Sequence, residues 1–317
     1  MPRFPGDSPT GVIPACILPF HDDLSLDITS LARHLQHTAA VPGLSAVTIN
    51  AHSTEVASCT LAEQEQVMAA AADAVGDKLP IVHGVYAEGS LEAARIARRA
   101  TAGGAACLLV FPPGPFTLGQ NADMVIGHFK RIADASDLPI IAFQYPQAGG
   151  QGYPRDTLHR LLDEVPTVRA IKDWCNNVPQ HERQIVELQG RARPVNVLST
   201  HSSWLFSSLV LGCNGLLSGS GSVIADLQSE LFQAVQANDL AKARAANDRI
   251  RPLAQVFYAN PFVDMHNRMK EALVLLGRIP RAVVRPPLVG IKPTEIEQIR
   301  TALVAARLLP AGTAKAA

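Results

Sequence analysis

The 317-residue sequence lacks the patterns that mark several common classes of protein. Its five cysteines are scattered singly, without a CxxC pair or a zinc-like Cys/His spacing, and their odd number fits a reducing cytosol better than a disulfide scaffold. Lysines and arginines form no basic stripe and the formal net charge is zero, so nucleic acid is not an expected partner. The start lacks the apolar core of a signal peptide, and no run approaches the roughly 18 apolar residues of a membrane span. We expect a cytoplasmic protein that does not bind membranes.

Eight short apolar runs are present, and each is followed by a longer segment with helical spacing. Their starts lie roughly 20 to 35 residues apart, which is the span of one βα unit. Near-continuous apolarity predicts strands that are buried on both faces of a parallel sheet. The runs are Val12–Leu18, Ser45–Ile49, Pro80–Val82, Cys107–Phe111, Pro139–Phe143, Val168–Ile171, Val195–Leu198 and Gly215–Leu217.

The segments between the runs carry signals for helix ends. Thr60–Glu63 and Thr294–Glu297 both read as capping boxes, and Ser90 is a candidate N-cap. A GxGxxG fingerprint is missing after the first run, which disfavours a doubly wound nucleotide-binding sheet. Eight alternations of strand and helix favour a closed (β/α)₈ TIM barrel, an α/β fold.

After the eighth run the alternation stops, and only helical patterns follow. Helices are predicted over residues 226–258, 262–276 and 294–309. We therefore predict a barrel over residues 1–235 that carries the site, and a C-terminal helical appendage over residues 236–317. The tail from residue 310 is expected to fray.

In such a barrel the functional site lies at the carboxyl ends of the strands. The polar residues that close the apolar runs are therefore the candidates for chemistry. They are Asn50, His52, Ser53, Thr54, Glu55, His83, Gln144, Tyr145, Lys172, Asp173, Ser199, Thr200, His201 and Ser218.

Lys172 differs from the other six lysines because it closes a buried strand. Lys130, Lys242 and Lys270 fall in helical segments, where a solvated face is the ordinary explanation. A lysine held in an apolar barrel mouth has its charged form disfavoured, which leaves a neutral amine able to attack a carbonyl. From position alone, a strand-end lysine that points to solvent is the other interpretation, and position does not favour the reactive amine over it.

Several motifs in order resemble those of the dihydrodipicolinate synthase / N-acetylneuraminate lyase family, from about Gly11 to Leu309. Ala51–Glu55 (AHSTE) falls where that family has Gly-Thr-Thr-Gly-Glu, and Pro112-Pro113 matches its Pro-Pro after strand four. Ala170–Asp173 (AIKD) matches the Gly-Ile-Lys-Glu/Asp motif that carries its Schiff-base lysine. Leu211–Ser218 matches the segment entering strand eight.

The resemblance implies that Lys172 condenses with a small 2-oxo acid, such as pyruvate or a sugar-acid derivative. Hydroxyls and N–H groups of the loop after strand two would hold the carboxylate, and a tyrosine after strand five would relay protons. No metal or other cofactor is implied, and a homo-oligomer, either dimer or tetramer, is expected. The expected pocket residues are His52, Ser53, Thr54, Phe143, Gln144, Ser199, Thr200, Leu217 and Ser218.

The sequence also departs from the family pattern after strand five. Phe143 stands at the position of the relay tyrosine and has no hydroxyl, whereas Tyr145, two residues on, returns to the same face of the strand. Tyr145 is thus a candidate catalytic residue, with a core or interface tyrosine as the alternative. The family's second-substrate arginine is replaced by the segment Gln147–Gly150, so we do not expect a lysine-pathway synthase.

Three functions remain open at this point. The first is a Schiff-base lyase, either an aldolase or a hydro-lyase. The second is a barrel that binds 2-oxo acids or sugar acids as a sensor, with catalysis weakened by Phe143. The third is a metal-dependent aldolase, which would require His83 and His201 to meet in the fold. His52 has its own pair of interpretations, an acid/base group or a structural histidine.

Overall fold

A barrel of eight parallel strands forms the centre of the computed structural model, which describes residues 2–310. Neighbouring strands pair in the order β1-β8-β7-β6-β5-β4-β3-β2, and parallel bridges from Val12 to Leu44 and from Ala15 to Thr48 join the two ends. The predicted (β/α)₈ barrel is therefore confirmed. The strands are β1 (Gly11–Pro14), β2 (Val47–Ile49), β3 (Ile81–Val85), β4 (Cys107–Val110), β5 (Ile140–Gln144), β6 (Val168–Asp173), β7 (Asn196–Ser199) and β8 (Gly215–Ser218).

A helix follows each strand, and three more helices follow the barrel. None of the helices within residues 2–310 is both long and apolar enough to cross a membrane. The barrel helices are α1 (Ile28–Ala39), α2 (Leu61–Val75), α3 (Ser90–Ala102), α4 (Ala122–Ala133), α5 (Arg155–Glu164), α6 (Val178–Gln189), α7 (Leu205–Val210) and α8 (Gly221–Gln236). The additional helices are α9 (Leu240–Phe257), α10 (Met265–Leu275) and α11 (Pro293–Ala305).

One of the three predicted helix starts is confirmed. The Thr60 side chain accepts a hydrogen bond from the N–H of Glu63, whose carboxylate accepts in return from the N–H of Thr60. Ser90 is wrong as an N-cap, because it is the first residue of α3 and its hydroxyl contacts His128. The second capping box is also wrong, since α11 begins at Pro293, whose fixed φ already suits a first turn.

Five strands run further than their apolar runs. His83 therefore lies in the middle of β3, and Gln144, Asp173, Ser199 and Ser218 are the last residues of their strands. Backbone pairing between strands does not depend on side-chain polarity, so a polar residue can extend a strand. Successive side chains then point to opposite faces of the sheet.

This alternation decides which strand residues reach the barrel interior. On β6, Ala170 and Lys172 share the inward face, whereas Ile171 and Asp173 face the surrounding helices. A cluster of inward side chains fills the barrel below the lysine, as in other closed barrels of this size. It includes Ile13, Val82, Leu109, Ile141, Ala170, Leu198 and Leu217.

Helices α9 to α11 pack onto the barrel through shared apolar contacts. Leu253, Phe257, Met269, Leu273 and Leu303 belong to the same buried cluster as the outer faces of the strands. The division of the chain at residues 235 and 236 stays a prediction. The predicted fraying of residues 310–317 lies outside the described residues, apart from Pro310.

A buried ion pair ties the helical appendage to the loop after β2. Lys270 on α10 is fully buried and donates to the carboxylate of Glu55, and also to the carbonyl of Val283 at 2.7 Å. The second oxygen of Glu55 accepts from the N–H of Arg285 at 3.1 Å. The expected solvated face for Lys270 is therefore wrong, because that face of α10 packs against the barrel mouth.

Replacing Lys270 by methionine should destabilise the protein strongly. The change would leave the Glu55 carboxylate buried without its cation, and such losses cost about 3–5 kcal/mol. We expect a clearly lower midpoint in chemical unfolding followed by circular dichroism. The matched control is Lys130→Met, which breaks the exposed pair with Glu164. Equal midpoints for the two variants would contradict the importance assigned to the buried pair.

Candidate active site

The side chain of Lys172 ends in a small cavity at the mouth of the barrel. The lysine is 5% exposed, and its Nζ lies 4.1 Å from the centre of the Phe143 ring. The cavity has a volume of about 50 Å³, and its barrel-derived wall is formed by His52, Ser53, Phe143, Lys172, Trp174, Thr200 and Gly219. A Cβ atom on Gly219 would lie 3.1 Å from the Ser53 hydroxyl, so a side chain at this position would crowd the cavity wall.

Burial lowers the pKa of Lys172 from 10.5 to about 7. Removal of the ammonium from water is the cause, and within residues 2–310 no carboxylate forms an ion pair with it. A large fraction of the amine is then uncharged at neutral pH. An uncharged amine has the lone pair that attack on a carbonyl carbon requires.

The neighbouring carboxylate, Asp173, points away from the cavity and into a polar cluster behind the strand. Its Oδ2 lies 2.6 Å from Nδ1 of His181 and accepts from Nε2 of Gln184 at 2.7 Å. Burial by itself lowers the pKa of His181, but the hydrogen bond and charge of Asp173 outweigh it and raise the pKa to about 9. The negative charge of Asp173 is therefore balanced by the protonated ring of His181, and Asp173 does not pair with Lys172.

The loop after β2 is shaped by two residues in the left-handed backbone region. Asn50 and Glu55 have φ values of 50° and 51°, which are uncommon for residues other than glycine. At the start of this loop, the Asn50 side chain donates hydrogen bonds to the carbonyl of Gln64 and to Nε2 of His83. At its end, Glu55 is held by the ion pair with Lys270. Backbone strain of this kind clusters at functional sites, and here it frames the turn that carries two cavity residues.

His52 and Tyr145 form a hydrogen-bonded pair beside the cavity. The Tyr145 hydroxyl lies 3.0 Å from Nε2 of His52. Burial and the charge of Lys172 lower the pKa of His52 to about 3, so this bond joins a neutral imidazole to the phenol. Tyr145 also packs on Phe143, with ring centres 4.5 Å apart, so it lies on the predicted side of the strand.

The appendage completes the cavity with residues that sequence reasoning missed. Nε2 of His266, on α10, lies 3.4 Å from the Ser53 hydroxyl. Phe262 stacks on Trp174 with ring centres 5.4 Å apart. The missed wall residues are Trp174, Gly219, Tyr258, Phe262, Met265 and His266. The run His266–Lys270 is polar and yet buried throughout, and this burial is visible only in the folded structure.

Several of the expected pocket residues do not reach the cavity. The Gln144 side chain exchanges hydrogen bonds with the backbone of Tyr153, and the Thr54 hydroxyl bonds the backbone of Ala51.

The remaining expected residues are also elsewhere. Ser218 contacts Ser220 and Gln228, the Ser199 hydroxyl faces His201, and Leu217 lies in the packed layer below. Gln144, Ser199 and Ser218 each end a strand directly after a residue that faces the barrel interior. Their own side chains therefore face outward and do not reach the cavity.

One group of side chains in the described chain has the composition of a metal site. Ligand atoms of Asp173, Cys175 and His201 lie within 4.8 Å of one another, behind β6. Each of them already has hydrogen-bond partners within the protein. His83 lies apart from this group and bonds Asn50 and the carbonyl of Gly84. The meeting of His83 with His201 that a metal-dependent aldolase would require therefore does not occur among the described residues.

Together, these features define a (β/α)₈-barrel enzyme with a buried amine in its mouth. Residues 8–306 match the Dihydrodipicolinate synthetase family, and the chain belongs to this family of lyases. Curated relatives include the 4-hydroxy-tetrahydrodipicolinate synthases of Methanoculleus marisnigri, 29% identical over 93% of this chain and 98% of the relative, and of Pseudomonas aeruginosa, 30% identical over 92% and 97%. Among solved structures, YagE of Escherichia coli K12 in complex with pyruvate is 25% identical, with a TM-score of 0.86 over 95% of this chain and 99% of that one.

The lowered pKa of Lys172 can be tested by its reactivity at different pH values. The rate of acylation by a small amine-directed reagent should rise with pH, reach half of its maximum near pH 7 and then level off, because only the neutral amine reacts. Peptide mass spectrometry measures the rate at this residue, with a lysine in an unstructured peptide as reference. A midpoint near pH 10 would show an ordinary, solvated ammonium.

Proposed function

We propose that the protein is a lyase that forms a Schiff base between Lys172 and a small 2-oxo acid. The observation that carries this proposal is the buried, partly uncharged amine in the cavity at the barrel mouth. Its place on the inward face of β6 supports the role, since the amine cannot turn into bulk solvent from there. The YagE structure, which contains pyruvate, supports the class of substrate.

The proposed reaction begins with attack of the neutral amine on the ketone carbon. The carbinolamine that forms loses water to give an iminium, which carries the positive charge next to carbon 3. In aldol cleavage the C3–C4 bond breaks, its electrons pass to the iminium to give an enamine, and the C4 hydroxyl loses its proton to become the carbonyl of the departing aldehyde. In dehydration the C3–H bond breaks instead, its electrons form the enamine, and the C4 hydroxyl is then protonated and leaves as water. In both carbon–carbon cleavage and loss of water, the iminium on Lys172 is the electron acceptor.

Two hydroxyl groups are proposed to hold the carboxylate of the 2-oxo acid. Ser53 and Thr200 both line the cavity beside Lys172, from the loops after β2 and β7. We assign the carboxylate to these hydroxyls and not to Thr54, whose hydroxyl is already bonded to the backbone of Ala51. Charge-assisted hydrogen bonds to a carboxylate are stronger than bonds between neutral groups.

The pair Tyr145–His52 is proposed to replace the missing relay tyrosine. The neutral imidazole lines the cavity, and the phenol behind it supplies a proton along the 3.0 Å hydrogen bond. Burial raises the pKa of Tyr145, so the phenol is protonated and serves as a donor before the reaction. In this proposal a proton passes from the phenol through the imidazole to the cavity without water, and the reverse path restores it.

A lysine-pathway activity is not supported by the wall of the cavity. Within the described residues, the only cationic side chain that lines it is Lys172, so a second substrate's carboxylate would find no arginine there. The synthases of Methanoculleus marisnigri and Pseudomonas aeruginosa are 29% and 30% identical to this chain, which leaves room for a different second substrate. Assembly as a dimer or tetramer and a cytoplasmic location remain predictions.

Reduction with borohydride in the presence of pyruvate should attach one reduced pyruvyl group to Lys172. Mass spectrometry of the digested protein locates the adduct. We expect Lys172→Met to lose it and Lys78→Met, a change at an exposed lysine, to retain it. If high concentrations of enzyme and pyruvate yield no adduct on the wild-type chain, the proposed function is wrong.

Substituting Tyr145 by phenylalanine should slow proton transfer at carbon 3 by about 10²–10⁴-fold, the usual contribution of a positioned acid or base. Exchange of the methyl protons of pyruvate with deuterium, followed by NMR, measures this step without knowledge of the natural substrate.

The matched control for this substitution is Tyr153→Phe. Tyr153 is a buried tyrosine whose hydroxyl has no hydrogen-bond partner among the described residues. A sensor barrel would bind pyruvate without any exchange, and Tyr145→Phe would leave its affinity unchanged. That outcome would favour the binding function suggested by Phe143.

A further inference from the structure

A second, larger cavity adjoins the cavity of Lys172. It has a volume of about 360 Å³, against about 50 Å³ for the first, and it opens between the loop after β2 and the appendage. His52, Met265 and His266 line both cavities and thus stand between them. A volume of this size is within the range of small-molecule sites.

The wall of this second cavity is mainly apolar. The side chains that provide this surface are Ala57, Val263, Met265, Pro286, Pro287 and Leu288. Met265 is unbranched and flexible, so it can move aside to join the two spaces. The cavity therefore offers hydrophobic contact directly beyond the reactive amine.

The charged groups in this wall are already paired. Arg285 donates to both oxygens of Glu63 and to the carbonyls of Leu24 and Ser58. Glu55 is bonded by Lys270 and by the N–H of Arg285. Among the described residues that line the cavity, no charge is left for a ligand.

The remaining polar side chains of the wall offer little to a polar ligand. The Ser58 hydroxyl donates to the carbonyl of Glu55, which leaves the imidazoles of His52 and His266. Burial lowers the pKa of both histidines, so both rings are neutral. A chain with several hydroxyls would leave most of them without a partner, and each unpaired hydroxyl costs about 1–3 kcal/mol.

We propose that the second cavity holds the distal part of the substrate, and that this part is uncharged and apolar, such as an aryl or branched alkyl group on carbon 4 of a 4-hydroxy-2-oxo acid. This inference rests on the proposed function, because Lys172 anchors the 2-oxo acid end. The small cavity then takes the head group and the large cavity takes the apolar substituent. Sugar-derived and dicarboxylic substrates are disfavoured by the same wall.

The test compares two substrates with the same head group. One is a 4-hydroxy-2-oxo acid with a phenyl group on carbon 4, and the other is a 3-deoxy-2-oxo acid of six carbons with a polyhydroxylated tail. Release of pyruvate measures cleavage of each. We expect kcat/KM to be at least about 100-fold higher for the aryl substrate, since burial of apolar area contributes about 25 cal/mol per Å².

A variant that fills the second cavity localises the effect. Ala57→Trp should raise KM for the aryl substrate at least about 10-fold, since the indole occupies the space of the phenyl group. Ala245→Trp, on an exposed position of α9, is the matched control and should behave as the wild type. Borohydride trapping of pyruvate on each variant reports whether Lys172 still reacts.

The possible failures can be told apart. If pyruvate is trapped but the polyhydroxylated substrate is cleaved as well as the aryl one, or if Ala57→Trp leaves KM for the aryl substrate unchanged, this inference is overturned and the Schiff-base function stands. If the wild-type protein traps no pyruvate, the proposed function is overturned and the inference falls with it.

Discussion

The uncharged state of Lys172 depends on how the neighbouring carboxylates are paired. An unpaired carboxylate within about 4–6 Å would favour the ammonium and raise its pKa. Asp173 is instead bonded to His181 behind the strand, and Glu55 is bonded to Lys270 of the appendage. Burial is then the only cause left, and a shift from 10.5 to about 7 corresponds to about 5 kcal/mol. That exceeds the about 1–2 kcal/mol with which the face of the Phe143 ring can favour a cation.

The barrel and its lysine could be predicted from sequence because both depend on local patterns. Apolar runs at βα spacing determine the fold, and the end of a run indicates the barrel mouth. The orientation of each candidate was also accessible, since alternation along β6 places Lys172 inward and Asp173 outward. The same argument applies to Phe143 and Gln144 on β5. Gln144, Ser199 and Ser218 were expected in the pocket because they are polar and end strands, but the two-residue alternation of side chains turns them outward.

The contribution of the appendage could not be predicted in the same way. His266 and Lys270 are distant in sequence from the residues they contact, and the contacts depend on how α10 packs over the barrel mouth. Helical periodicity describes a helix but not its docking partner. Lys270 therefore looked like a solvated lysine, although it is the cation that holds Glu55. Long-range pairs of this kind require the folded structure.

The replacement of a hydroxyl by Phe143 agrees with the chemistry of the whole site. A phenol next to the amine would be a partner for the ammonium, whereas the phenyl ring gives the neutral amine an apolar neighbour. The proposed proton-transfer pair, Tyr145 and the neutral ring of His52, lies one layer away from the amine. Among the described residues near the cavity, Asp173, Glu55 and Arg285 are each paired with an opposite charge within the protein. Under the proposed function, such a site selects substrates by shape and apolar contact, and the carboxylate of the 2-oxo acid is the polar anchor.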